Sequence, residues 1–164
     1  MAKKYHIHNF FLESKKIDCE PPYDEIALKG IAITSPNYPD DYGNYLDCQV
    51  NIRYGVNETV VITFLVFDVE EGYDFLAIHD GESTDSPLMS SKLSGTSPSG
   101  TTMRSTGNVM TLHFHSDSRS TKTGFRLYAH VGKNFDGLDY VLNKVGFFKN
   151  LYKWLLNLNI TLHQ

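Results

Sequence analysis

A chain of 164 residues, 41% hydrophobic and 21% charged, has ordinary globular composition, enough for one domain with a real core plus some tail. Its formal net charge of -4 and pI near 5.9 leave no basic stripe through the central region, which argues against nucleic acid as a partner. No window reaches the roughly 18 uncharged apolar residues that a membrane-spanning helix needs.

The first stretch, MAKKYHIHNFFLESKK, holds an apolar run of only Phe10, Phe11 and Leu12 and does not read as a secretion signal. Cys19 and Cys48 come next, and their number alone leaves open a bridge or two buried small hydrophobes. A bridge would close about 30 residues and contribute about 3.5 kcal/mol by chain entropy. From Ile26 to Val131 the pattern has period two, is rich in Val, Ile, Thr, Tyr and Phe, and is cut at intervals by turn residues. Strands are predicted over Ile31–Thr34, Asp47–Arg53, Thr59–Val69, Asp74–His79, Pro87–Leu93, Thr101–Arg104, Val109–His115 and Gly124–His130. Strands at such spacing argue a sandwich. Thr59–Val69 is apolar on both faces and is expected to lie centrally. In VMTLHFH, Met110, Leu112 and Phe114 should face the core, with Thr111, His113 and His115 outward.

Beyond Val131 the spacing changes. Leu138, Val141, Leu142, Val145, Phe148, Leu151, Leu155 and Leu158 recur at three or four residues, which predicts an amphipathic helical extension over 132–164. No acidic residue follows Asp139, while Lys144, Lys149 and Lys153 remain, so the segment is basic. Contact with a membrane surface, packing on the sandwich and a non-native tail all remain open.

Between these ends four motifs occur in order: Gly30 with, from Ile33, ITSPNYPDDY; Cys48 after NYLD; FDVEEGYDFLAIHDG; and NVMTLHFHSDSRSTKTGF. Together they resemble the CUB domain, a module of complement-initiating proteases, astacin-type procollagen proteases and spermadhesins. The resemblance implies an all-β, jelly-roll-like sandwich of two antiparallel sheets over 19–131, flanked by extensions at 1–18 and 132–164. It also implies an extracellular, secreted protein with a Cys19–Cys48 disulfide. In SPNYP the prolines fix φ and push the preceding residues to extended geometry, locking a strand exit into a turn. Tyr73 and Phe125 are expected to supply bulk to the core. Three departures stand out. Gly72 and, approximately, Ser94 occupy the places of a second cysteine pair; the loop after FDVE is short, leaving Glu70 and Asp74 four apart; and Val50 replaces a common Trp.

Calcium-binding members of the family are similar in grouping a Glu, two Asp and a supporting Tyr, which here are Glu70, Asp74, Asp117 and Tyr42. Calcium takes six to eight oxygens, leaving room for a carbonyl near Ser118 and the Ser120 hydroxyl. Carboxylates about 5 Å apart repel by roughly 3 kcal/mol per pair at an effective dielectric near 20, so a converging set must bind an ion or take up protons. Glu71 rivals Glu70 as the third acid. The alternative is that Asp74 and Asp117 are turn residues and Glu70 and Glu71 a solvated pair. By the same resemblance the loops holding Asp40, Asp41 and Tyr42 would present acid to a lysine of an extracellular protein partner, although Asp40 and Asp41 also suit a plain soluble turn. The alternatives are a non-catalytic docking fragment of a larger secreted protease and a spermadhesin-like, glycan-binding lectin. No HExxH, GxSxG or phosphate-binding loop is present, so the chain is not expected to be an enzyme. His113 and His115 share a face but supply only two metal ligands, and read as surface histidines. Asn57-Glu58-Thr59 is an N-glycosylation sequon that fits a secreted glycoprotein; Asn159-Ile160-Thr161 is a second.

Overall fold

The computed structural model describes residues 14–21, 25–96 and 100–132. The predicted helix over 132–164, its lysines and the Asn159 sequon lie outside the described residues, apart from Gly132.

Among the described residues there are nine strands: β1 (Ser14–Lys16), β2 (Glu25–Ile26), β3 (Ile31–Thr34), β4 (Asp47–Arg53), β5 (Thr59–Asp68), β6 (Phe75–His79), β7 (Thr102–Arg104), β8 (Val109–His115) and β9 (Gly124–Gly132). They form two sheets, in the orders β1-β3-β9-β5-β7 and β2-β4-β8-β6. Cys48, Val50 and Ile52 of β4 and Met110, Leu112 and Phe114 of β8 meet Ile33, Val60, Ile62, Phe64, Phe125 and Leu127 of the other sheet in one core. Val50 is fully buried, so an apolar side chain fills this core position.

Several expectations change. The sheets are mixed rather than purely antiparallel, because β1 runs parallel to β3 and β2 parallel to β4. Each of these pairs is joined by the connection of a dozen or more residues that parallel neighbours require. β1 stands ahead of Cys19, so the first sheet already includes residues 14–16. Pro87–Leu93 is not a strand. It follows the edge of β6 through two isolated bridges, Leu88 to His79 and Leu93 to Leu76, and so covers that edge. In β5 the register shifts between Phe64 and Val66, a bulge that turns Phe67 inward and leaves Leu65 exposed. Thr111 faces outward yet is fully buried, since the connection after β6 lies over it. Its hydroxyl donates toward Asn51 Oδ1 at 2.9 Å and the Gly81 carbonyl at 2.7 Å. Tyr73 is 67% exposed and contributes nothing to the core, whereas Phe125 is fully buried as expected.

Cys19 and Cys48 are disulfide-bonded. In the connection between β4 and β5, which crosses from one sheet to the other, the Lys29 ammonium and the Gly55 N–H hold the Glu58 carboxyl below its usual range. Asn57, in the same turn, is exposed with φ +68°.

Tyr54 is an exception to polar satisfaction inside the core. Its hydroxyl is buried with no hydrogen-bond partner, and burial, with Tyr128 and Glu58 adding, pushes its pKa up to about 12. An unsatisfied buried polar group costs about 1–3 kcal/mol. Tyr54→Phe, which deletes only that oxygen, is therefore expected to raise stability by about 1 kcal/mol in urea denaturation. A loss of stability would mean that the hydroxyl has a partner in solution.

Candidate metal centre

Three connections meet at one end of the sandwich. The β3–β4 connection carries Tyr42, the β5–β6 connection carries Glu70 and Asp74, and the β8–β9 connection carries Asp117. Tyr42 is buried, set edge-on to Phe114 at 5.0 Å, and its N–H donates to the Lys122 carbonyl at 3.0 Å. This seat aims its phenol at the acidic residues. The Tyr42 hydroxyl donates to Asp74 Oδ2 at 2.6 Å and accepts from the Glu70 N–H at 3.0 Å. Burial, followed by the hydrogen bond to Asp74, pushes the phenol well above its ordinary range, so it remains a donor.

Asp74 is 1% exposed, a carboxylate taken out of water. Its Oδ1 accepts from the Asp117 N–H at 2.7 Å. Asp117 in turn accepts from the Arg119 N–H at Oδ1, 2.8 Å, and its carbonyl from the Tyr45 N–H at 2.7 Å. One carboxylate oxygen each of Glu70, Asp74 and Asp117 lies within 4.8 Å of the others. Among the described residues no lysine or arginine makes an ion pair with any of the three. Glu70 Oε2 is buried with no partner at all. At such separations each pair of charges repels by roughly 3 kcal/mol at an effective dielectric near 20. An all-oxygen donor set with an orphaned buried oxygen fits a hard cation such as calcium and offers nothing to a soft one.

The four residues taken from the sequence motifs are thus brought together, and Glu70 rather than Glu71 stands in the cluster. Glu71 is exposed and packs over Gly95. Ser118 and Ser120 line an open cleft with Glu70, Tyr73, Asp117 and Arg119. Asp40 and Asp41 do not line that cleft; they are exposed in the turn closed by the Asp40 N–H to the Asn37 carbonyl at 2.9 Å. Sequence reasoning missed Tyr73 as a cleft residue. His113 and His115 flank Phe75, with ring centroids 5.9 and 5.1 Å from it, and His113 pairs with Asp47. Lys92 Nζ stands 3.7 Å from the Phe75 ring centroid, so this face is already occupied by its own cation and rings.

A family model described as CUB domain matches residues 23–128. Cubilin of Rattus norvegicus is 32% identical over 114 residues, which are 67% of this chain and 3% of that protein. Tolloid-like protein 1 of Homo sapiens is 37% identical over 105 residues, 62% of this chain and 10% of that protein. The chain therefore spans a small part of the curated relatives it matches. Among solved structures, the full extracellular region of zebrafish Gpr126/Adgrg6 is similar with a TM-score of 0.58 at 33% identity, over 65% of this chain and 14% of that one. The MASP-1 CUB2 domain bound to Ca2+ is similar with a TM-score of 0.57 at 24% identity, over 65% and 96%, a likeness of fold.

Proposed function

The chain belongs to the CUB domain family, and from that premise we propose that it is an extracellular protein-recognition module whose binding loops are ordered by one calcium ion. CUB domains are non-catalytic interaction modules, so the site is read as a binding site. The observation that carries the calcium reading is the convergence of Glu70, Asp74 and Asp117 within 4.8 Å, with no lysine or arginine ion-paired to them among the described residues. Glu70, Asp74 and Asp117 would hold the ion, with Ser118 and Ser120 beside them on the cleft. When bound, calcium would cancel the repulsion among the acids and link two loops. Tyr42 keeps Asp74 facing inward and ties the Glu70 backbone to it, so part of the arrangement precedes any ion. That the fold neighbour from MASP-1 was solved with Ca2+ is in keeping with the reading.

We read the exposed acids Asp40, Asp41 and Glu71 as an acidic rim that would suit a lysine presented by a partner protein. Such a contact between exposed charges weakens as salt is added. Both a docking role within a larger secreted protein and the capture of a free partner would use this same rim.

The test is calorimetric titration of calcium into the wild-type protein and into Asp117→Ala. Wild type should give a saturable heat that the substitution abolishes, because the ion loses one of three charges. Heat that survives Asp117→Ala would overturn the assignment.

A further inference from the structure

We propose that Ser94 is a positioning residue for the acidic cluster, a hydroxyl clasp that sets Glu70 and Asp74 at the separation an ion requires; the proposal rests on the calcium reading above. The five residues from Glu70 to Asp74 form a tight loop, turned at Gly72 with φ +82° and closed by the Asp74 N–H to the Glu70 carbonyl at 3.3 Å. Three backbone groups of this loop converge on one atom. Ser94 Oγ accepts from the Gly72 N–H at 2.8 Å and offers its hydrogen to the Glu70 carbonyl at 2.9 Å and the Asp74 carbonyl at 2.8 Å.

The segment that carries Ser94 is itself fastened on both sides. The Val69 N–H donates to the Gly95 carbonyl at 3.0 Å, and Leu76 and Leu93 exchange two bonds of 2.9 Å. The loop is therefore sewn to residues 93–95 before, within and after its turn. Two of the three acids, Glu70 and Asp74, are the loop's end residues, so the clasp fixes where their Cα atoms stand. Hydrogen bonds of this kind are reversible, and each is worth only about 1 kcal/mol net. Groups that orient ligands without touching a metal commonly alter its affinity by about 10- to 100-fold when removed.

Ser94→Ala removes the clasp and leaves the three backbone groups without it. Calcium affinity, measured calorimetrically, is expected to fall about tenfold, while Ser94→Thr, which keeps a hydroxyl, retains most of it. Stability of each variant is measured in parallel in EDTA. A merely structural role would lower that stability and leave the dissociation constant unchanged, and this result overturns the proposal. Equal weakening in Ser94→Ala and Ser94→Thr also overturns it, since the hydroxyl would not be the cause. Asp117→Ala is the control: if that variant binds calcium normally, the calcium reading fails, whereas loss there with wild-type affinity in Ser94→Ala condemns the clasp alone. Should Ser94→Ala not fold, amide exchange of Gly72 in the wild-type protein in EDTA decides. Protection supports the clasp, and exchange at the rate of an open loop refutes it.

Discussion

Gly124→Ala is expected to cost about 3 kcal/mol of stability and to loosen an acidic cluster that Gly124 never touches. Gly124 opens β9 with φ +80°, a conformation in which a side chain is strained by about 1–2 kcal/mol. The space is closed as well. A Cβ here would collide with Ser35 Oγ, stand 2.8 Å from Ser35 Cβ and 3.2 Å from Tyr42 Cδ1. Ser35 is fully buried and its Oγ accepts the Phe125 N–H at 3.0 Å, so it cannot swing into solvent. Overpacking of this kind adds about 1–3 kcal/mol. Displacement of Tyr42 then reaches Asp74 through the 2.6 Å phenol bond. Urea denaturation reads the first effect and calcium titration the second. Adding Ser35→Gly should make the pair less damaging than the sum of the two single changes. A Gly124→Ala midpoint equal to wild type would show that the turn has room these contacts deny.

The double substitution Cys19→Ser/Cys48→Ser is expected to remove about 3.5 kcal/mol. The sequence holds two cysteines, so this bridge is its only covalent cross-link, closing a sequence separation of 29. It fastens the segment after β1 to β4, where the Gln49 N–H also donates to the Asp18 carbonyl at 2.8 Å. Cys48 is fully buried, so the serine pair also places a hydroxyl in the core. Small domains commonly hold only about 5–15 kcal/mol in total, so the loss is a large share. Equilibrium unfolding of the double variant beside the oxidised wild type measures it, and a difference below about 1 kcal/mol would place the stabilising weight elsewhere.

Among the strands that were legible to the residue, Asp47–Arg53 and, from Met110 on, Val109–His115 alternate inward apolar side chains with outward polar ones. Their alternation states both the strand and its orientation. Pro87–Leu93 misled because an edge cover has strand-like composition without a ladder. The bulge in β5 was illegible because every residue around it is apolar, so no alternation marks the slip. At the cluster, Tyr42, Asp74 and Asp117 followed from motifs. The choice between Glu70 and Glu71 did not, since neighbours in a loop have no period to separate them; it is the Glu70 carboxylate that lies within 4.8 Å of the other two. Tyr73 looked like core because aromatic residues usually are, but the turn at Gly72 sends it out to the cleft.

The hydrogen bonds that assemble the acids reach across 32 residues from Tyr42 to Asp74 and 43 from Asp74 to Asp117. The FDVEEGYD stretch by itself contains two of the carboxylates and neither the third nor the phenol that aims them. The cluster thus belongs to the stacked pair of sheets and to no contiguous segment. It cannot be excised as a peptide or grafted as a loop without the whole sandwich that brings its pieces into register.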